Sequence, residues 1–286
     1  MYRLMTYRQF VLNEGGKAID HADSVEQKDV PSILKMVQSE FASAKSMKSD
    51  VTGEIFKIGS AGLKKDGETS GDIDMCWIVQ GDKKDRLEKL KSAMEKLGHV
   101  THYMPGLEIL SVGFDFGGKT VQVDFIACSD KGWAKFIYHS PDFRRNESRY
   151  KSAHRNWLFS AILSQLVTDV EKDQDGEMAE WTGYVLRLGE GLFRVRKTKR
   201  SKKDENELNK HSRNESEEFV TMDPGVFVKF LFGEEYSEKD VKTFEDCLNI
   251  IKKPGYKYAK FVPEILKKYK EFIERVELPI PSEINN

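Results

Sequence analysis

Ile58-Gly59-Ser60-Ala61-Gly62-Leu63-Lys64-Lys65-Asp66-Gly67-Glu68-Thr69-Ser70-Gly71-Asp72-Ile73-Asp74 decides how this chain is read. A Gly-Ser turn is followed, after an eleven-residue gap, by two aspartates that bracket one isoleucine. In a strand successive side chains alternate faces, so Asp72 and Asp74 point one way while Ile73 points into a core. Two carboxylates that close repel each other unless a cation sits between them. The pair therefore reads as a divalent-metal site opposite a small turn whose backbone amides can hold a phosphate. The bland alternative is a strand-entry turn, Ser70-Gly71-Asp72, whose carboxylates cap local amides.

Outward from this stretch the pattern is that of a small sheet with helices. Glu54–Ile58 alternates as a short strand that ends at Gly59-Ser60. Asp72–Val79 is apolar on both faces, as a central strand should be. Asp82–Gly98 carries Leu87, Leu90, Met94 and Leu97 at helical spacing and closes on Gly98. Leu107–Phe116 and Lys119–Cys128 are two strands joined at Gly117-Gly118, a strong hairpin signal. In the second of them Val121, Val123 and Phe125 share one face, which leaves Asp124 with Gln122 on the other. A lone acid in the middle of a core strand is unfavourable unless it binds something. Asp115, beside the hairpin turn, needs no such reason.

Ile58-Gly59-Ser60, the eleven-residue gap, Asp72-Ile73-Asp74 and the later apolar-x-apolar-Asp at Asp124 resemble the signature of the DNA polymerase β-like nucleotidyltransferase superfamily, over roughly residues 54–128. The resemblance implies transfer of a nucleoside monophosphate from an NTP to an acceptor hydroxyl, with release of pyrophosphate. It implies two Mg²⁺ or Mn²⁺ ions, about 3.5–4 Å apart, that stabilise the attacking and leaving oxygens. Asp72 and Asp74 would bridge both ions and Asp124 would hold the catalytic one. All-oxygen ligands suit these metals rather than zinc. Gly59 and Ser60 would cradle the β- and γ-phosphates, with Lys64 and Lys65 as further phosphate contacts.

Elsewhere the chain supplies helices and cations. Pro31, followed by Ile33, Leu34, Val37 and Phe41, opens an amphipathic helix to about residue 46. The segment 139–152 offers Arg144, Arg145, Arg149 and Lys151 to a triphosphate tail and Tyr150 to a base, or is simply a solvated loop. Tyr150–Thr168, Ser237–Lys252 and Pro263–Val276 carry helical apolar stripes. Between them Tyr184–Leu188 and Leu192–Lys197 pair as a hairpin about Gly189-Glu190-Gly191. The span 184–203 holds Arg187, Arg194, Arg196, Lys197, Lys199, Arg200, Lys202 and Lys203 against one acid, Glu190. That hairpin reads as a surface for RNA or DNA, or as a solvated edge masked by the acids that follow. Residues 198–218 read as a loop, and the tail 278–286 as extended.

Composition narrows the class. Of 286 residues, 39% are hydrophobic and 33% charged, enough for one large domain or two modest ones. Forty-six cations against 47 anions leave no overall field for nucleic acid or membrane, so any basic patch is local. The sequence has no apolar run of about 18 residues, Met1-Tyr2-Arg3-Leu4-Met5 lacks the long apolar centre of a secretory signal, and a cytoplasmic location is expected. Cys76, Cys128 and Cys247 form neither a disulfide framework nor a zinc knuckle and read as reduced thiols. His99 and His102 lack ligand partners and read as surface histidines. A Walker loop is missing.

The expected architecture is α+β: an N-terminal helical segment (1–49) packed on a nucleotidyltransferase palm (50–140), a small mixed sheet with helices. A mostly helical second domain (150–280) with one basic β-hairpin follows. The favoured acceptor is an RNA 3′ end. The alternatives are nucleotidylation, such as AMPylation, of a protein or small molecule, and a silent nucleotide or nucleic-acid binder. All of this requires Asp124 to lie within about 8 Å of the other two acids, close enough to share the ions they hold.

Overall fold

Five strands form the sheet that carries the acids. The computed structural model describes residues 18–104, 108–172, 178–198 and 213–284. Strands β2 (Glu54–Lys57), β4 (Ile73–Ile78), β5 (Val100–Met104), β6 (Ile109–Phe116) and β7 (Lys119–Cys128) lie in the order β2-β4-β7-β6-β5. Only the central pair β4–β7 is parallel; the three other pairings are antiparallel. A two-residue ribbon sits beside the sheet, β1 (Val25–Glu26) paired with β3 (Thr69–Ser70).

The face of β4 that carries Ile73, Met75 and Trp77 is covered by α1 (Val30–Met47) and α2 (Lys83–Lys96). Helix α1 carries Pro31 in its first turn and turns Ile33, Val37, Phe41 and Ala44 inward. Phe41 meets Trp77 edge-on at 5.8 Å and stacks on Phe125 at 6.2 Å. Helix α2 is capped by Asp82, which accepts from the Asp85 amide at 2.9 Å. Because one face of β4 and β7 is committed to this core, Asp74 and Asp124 are delivered to the opposite face.

The rest of the chain builds a second core around α4 (Ser152–Leu163). Its Leu158, Phe159 and Ile162 pack with side chains of α5 (Pro224–Phe232), α6 (Phe244–Ile251) and α7 (Val262–Arg275). Helix α3 (Lys131–Ile137), which directly follows β7, gives Trp133, Phe136 and Ile137 to this core and so joins the two halves. The fully buried Arg155 stitches the joint, donating to the carbonyls of Phe136, Ile137, Val241 and Lys242. Burial lowers its pKa to about 10. Lys83, 5% exposed, ties the Gly189-Glu190 turn to the first half, through the Gly189 carbonyl at 3.0 Å and Glu108 and Glu190 at 3.3 and 3.4 Å.

The mixed α+β character read from the sequence holds, and three local expectations change. The basic hairpin, β9 (Met178–Arg187) with β10 (Gly191–Thr198), is the middle of a four-stranded antiparallel sheet. β8 (Thr168–Lys172) and β11 (Arg213–Thr221) complete it. Residues 213–218, expected in a loop, are thus a strand. The helix expected from Ser237 is broken in two. Ser237 and Asp240 box a 3₁₀ turn, and a second box, Thr243 with Asp246, starts α6. The tail expected to be extended closes with a 3₁₀ turn, Ser282–Ile284, that buries Ile284. The three cysteines are free and buried, and among the described residues no helix is long and apolar enough to cross a membrane.

Candidate active site

The site is assembled where β2 and β4 run side by side and β7 lies parallel on the other side of β4. As β2 ends, the Ile58 amide donates to the Asp74 carbonyl at 3.0 Å, fixing the turn against β4. Gly59 then takes φ +66°, and a Cβ placed there would stand 2.1 Å from Asp74 Oδ2. Conformation and space both demand glycine, and the backbone of the turn lies against a carboxylate.

Parallel register sets Asp74 directly beside Asp124, and Asp72 lies one residue before β4 starts. One oxygen from each of the three carboxylates falls within 4.8 Å of the others. Asp72 and Asp74 are half-buried; Asp124 is 7% exposed. Gln122, on the same face of β7, donates to Asp124 Oδ1 at 3.0 Å. Its own Oε1 accepts the Ile19 amide at 3.0 Å, which fixes which end of the amide faces the acid. Burial, and then the nearby charge of Asp72, push the Asp124 carboxyl from 3.8 up to about 7. The donor set is all oxygen, converging and preformed, and it fits a hard divalent cation. Among the described residues it is the one group of three His, Cys, Asp or Glu side chains able to converge on an ion.

Lysines surround the carboxylates. Lys57, the last residue of β2, donates to the Gly59 and Ala61 carbonyls at 3.2 and 2.6 Å. Burial lowers its pKa, against an opposing pull from Asp74. Sequence reading missed it because a lysine at a strand end is ordinarily solvated. Lys64 is half-buried and donates to the Thr69 carbonyl at 2.8 Å; burial and then Lys151 lower its pKa, while Asp72 and Asp74 raise it. Lys64 therefore feels both Lys151 and the acids. Lys65 is exposed, its amide bonded to Glu68 at 3.1 Å.

The other nucleotide-binding candidates already have protein partners. Arg144 forks onto Asp142 at 2.7 and 2.9 Å, and Arg145 reaches the same acid at 3.6 Å. Arg149 pairs with Glu283, which also accepts the Tyr150 hydroxyl at 2.6 Å. The Tyr150 ring lies 5.1 Å from His154 and 5.2 Å from Phe244.

The arginines among the acceptor candidates are paired as well. Arg187 grips Glu217 and lies 4.6 Å over the Phe193 ring. Arg194 meets Asp169 at 3.1 Å and Arg196 meets Glu180 at 2.5 Å. Lys197 is half-buried, which lowers its pKa. Lys199, Arg200, Lys202 and Lys203 lie outside the described residues. Two minor readings separate: Asp115 accepts the Gly118 amide at 3.1 Å and belongs to the turn. His99 is not a free surface group, since it bonds Glu40 at 3.2 Å and packs on Phe114.

No protein-family profile and no curated protein match the chain. Solved structures do. Polymerase β of Leishmania infantum, in its ternary P/T complex, matches at 13% identity over 100% of this chain and 83% of its own, with TM-score 0.38. The Cid1 poly(U) polymerase bound to Mg 3′-dATP matches at 11% identity over 56% of this chain and 47% of its own, TM-score 0.31. The CdnC:HORMA-deltaN complex of E. coli MS115-1 matches at 13% over 55% and 58%, TM-score 0.27. The chain spans about half the length of several structures it matches, 45% of an RNA terminal U-transferase among them. Overlaps this partial assign no residue a role.

Proposed function

We propose that this chain is a metal-dependent nucleotidyltransferase, moving a nucleoside monophosphate from an NTP to an acceptor hydroxyl. The observation that carries the reading is the convergence of Asp72, Asp74 and Asp124 within 4.8 Å, with the backbone of Gly59 against Asp74. Structure alone gives no reason to gather two acids around a buried third whose charged form is disfavoured.

Asp72 and Asp74 would hold two Mg²⁺ or Mn²⁺ ions and Asp124 one of them. When bound, such ions neutralise charge on the attacking and leaving oxygens of an in-line displacement. The chain's own part is positional. Gln122 fixes one Asp124 oxygen, and the parallel register sets the spacing of Asp74 and Asp124. The Gly-Ser turn brings its backbone to the triphosphate, and Lys64, with Lys151 near it, adds positive charge beside the acids. Arg144, Arg145, Arg149 and Tyr150 serve the nucleotide only by exchanging their present partners.

The favoured acceptor is an RNA 3′ end, met by the cations of β9 and β10. A specific observation favours a second reading, a protein or small-molecule acceptor: Arg187, Arg194 and Arg196 are each neutralised by an acid in the same sheet. The test is incubation of the full chain with each α-³²P NTP, Mg²⁺ or Mn²⁺, and either total RNA or lysate protein, with Asp72→Asn as control. Label in RNA supports the first acceptor and label in protein the second. Labelling that persists undiminished in Asp72→Asn overturns the enzyme itself.

A further inference from the structure

The eleven residues between the Gly-Ser turn and the acids must be held, or the turn cannot present a fixed surface to a ligand. Its inner end is fixed by Lys57, through the Gly59 and Ala61 carbonyls, and by the Leu63 amide donating to the Ser60 carbonyl at 2.9 Å. Its outer end is fixed from far away in sequence. Gln27 Oε1 accepts the Gly62 amide at 2.7 Å and the Lys64 amide at 3.4 Å, while its Nε2 donates to Ser70 Oγ at 3.2 Å. One side chain thus clasps both limbs of the loop, just past the two-residue strand β1 that pairs with Thr69–Ser70. Gly62, at φ +77°, is pressed on Val30 at the start of α1; a Cβ there would stand 3.3 Å from Val30 Cγ1.

We infer that Gln27 is a positioning residue for the phosphate-binding loop, holding Gly62 and Lys64 so that the turn and the Lys64 ammonium face the carboxylates before ligand arrives. The inference deepens the nucleotidyltransferase reading and rests on it. It also narrows the donors. The amides of Gly62, Leu63 and Lys64 are occupied by Gln27 and Ser60, so these three are not the donors that meet a phosphate in this loop. Gln27 lies outside the signature and need not touch the ligand. Preorganisation of this kind strengthens binding by removing the cost of ordering the loop on ligand entry.

The test uses the full chain as wild type, Gln27→Ala and Gln27→Glu. Backbone hydrogen exchange over residues 60–70 is measured without ligand, and equilibrium binding of ATP and of inorganic tripolyphosphate is measured with Mg²⁺. For Gln27→Ala, exchange at the Gly62 and Lys64 amides should rise by about tenfold, the loss of roughly one hydrogen-bonding contribution per amide. ATP and tripolyphosphate should weaken by the same factor, also about tenfold, because the loop acts on the phosphates they share. Gln27→Glu keeps the acceptor and should restore protection of both amides even though it lacks the donor to Ser70. Unchanged exchange in Gln27→Ala, or loss of protection in Gln27→Glu, overturns the inference. So does an ATP loss that tripolyphosphate does not share. If the wild type binds neither ligand, the enzyme reading falls with the phosphate role, whereas exchange that fails to respond in a protein that binds both removes Gln27 alone.

Discussion

The two sheets of this molecule treat charge in opposite ways. In the five-stranded sheet, three like charges converge within 4.8 Å and the most buried is pushed to about 7. In the four-stranded sheet every arginine of β9 and β10 meets an acid: Arg187 with Glu217, Arg194 with Asp169, Arg196 with Glu180. Like charges gathered at the fold's expense point to a ligand of opposite charge. Unlike charges paired on an exposed surface point to ordinary solvated structure. Density of charge in the sequence does not separate these cases; sign and spacing do.

The largest effect tests the first half of that contrast. Asp72→Asn and Asp74→Asn should each lower NTP-dependent labelling by at least about a thousandfold, the equivalent of several kcal/mol of transition-state stabilisation. Both variants should keep the wild-type thermal midpoint or exceed it, because removing one like charge relieves the others. A variant that loses its fold together with its activity would make the acids structural and erase the contrast between the sheets.

Next comes a change that alters no charge. Gly59→Ala sets a methyl group where Asp74 Oδ2 now lies, 2.1 Å from the added carbon, at a φ that alanine rarely adopts. Activity should fall about a hundredfold, since a displacement near 1 Å costs that much in a positioned site. Titration with Mn²⁺ should show weakened metal binding. Normal activity in this variant would mean that the turn's approach to Asp74 is incidental.

Proton linkage sharpens the same site. The folded chain keeps a proton on Asp124 up to about 7, whereas the ordinary carboxyl value is 3.8. Between those limits the folded state binds more protons than the unfolded one, so this group's contribution to stability falls as pH rises. In EDTA the wild type should lose thermal stability between pH 5 and pH 7.5 relative to Asp124→Asn, by on the order of a few kcal/mol. Mg²⁺ or Mn²⁺ should restore it at pH 7.5 and do little at pH 5. Parallel curves for the two proteins would show that Asp124 does not titrate as the burial implies.

How much of this was legible beforehand follows from the range of the contacts involved. Asp124 could be read from strand alternation alone, because Val121, Val123 and Phe125 fix which face it takes. The hairpin at Gly117-Gly118 was legible because both residues adopt positive φ. β11 was not legible: Asn214-Glu215-Ser216-Glu217-Glu218 has no apolar alternation, and it is a strand because β10 offers it an edge while Arg187 of β9 and Arg194 of β10 meet its Glu217 and Glu218. The break before α6 was hidden by an apolar stripe that continues past it, although Thr243 and Asp246 spell a second cap. Gln27 and Lys57 escaped notice for another reason. Each acts on backbone groups, and Gln27 does so from 35 residues away, where no periodicity points.

The smallest expected effect tests the second half of the contrast. Arg196 is 54% exposed as a side chain and Glu180 35%, so their contact is one that solvent and salt weaken. Arg196→Ala should therefore lower the thermal midpoint by no more than about 3 °C, the shift expected for under about 1 kcal/mol in a chain of this size. Raising the salt concentration should shrink the difference further. A much larger fall would mean that the pairs hold the four-stranded sheet together and that its cations are unavailable to any partner. If the fall is small, replacing Arg194, Arg196 and Lys197 together by glutamate becomes a clean probe of the acceptor. RNA labelling would vanish if those side chains exchange their acids for phosphates, whereas protein labelling would continue unchanged. The paired arginines then count as a surface held in reserve only if RNA labelling is what disappears.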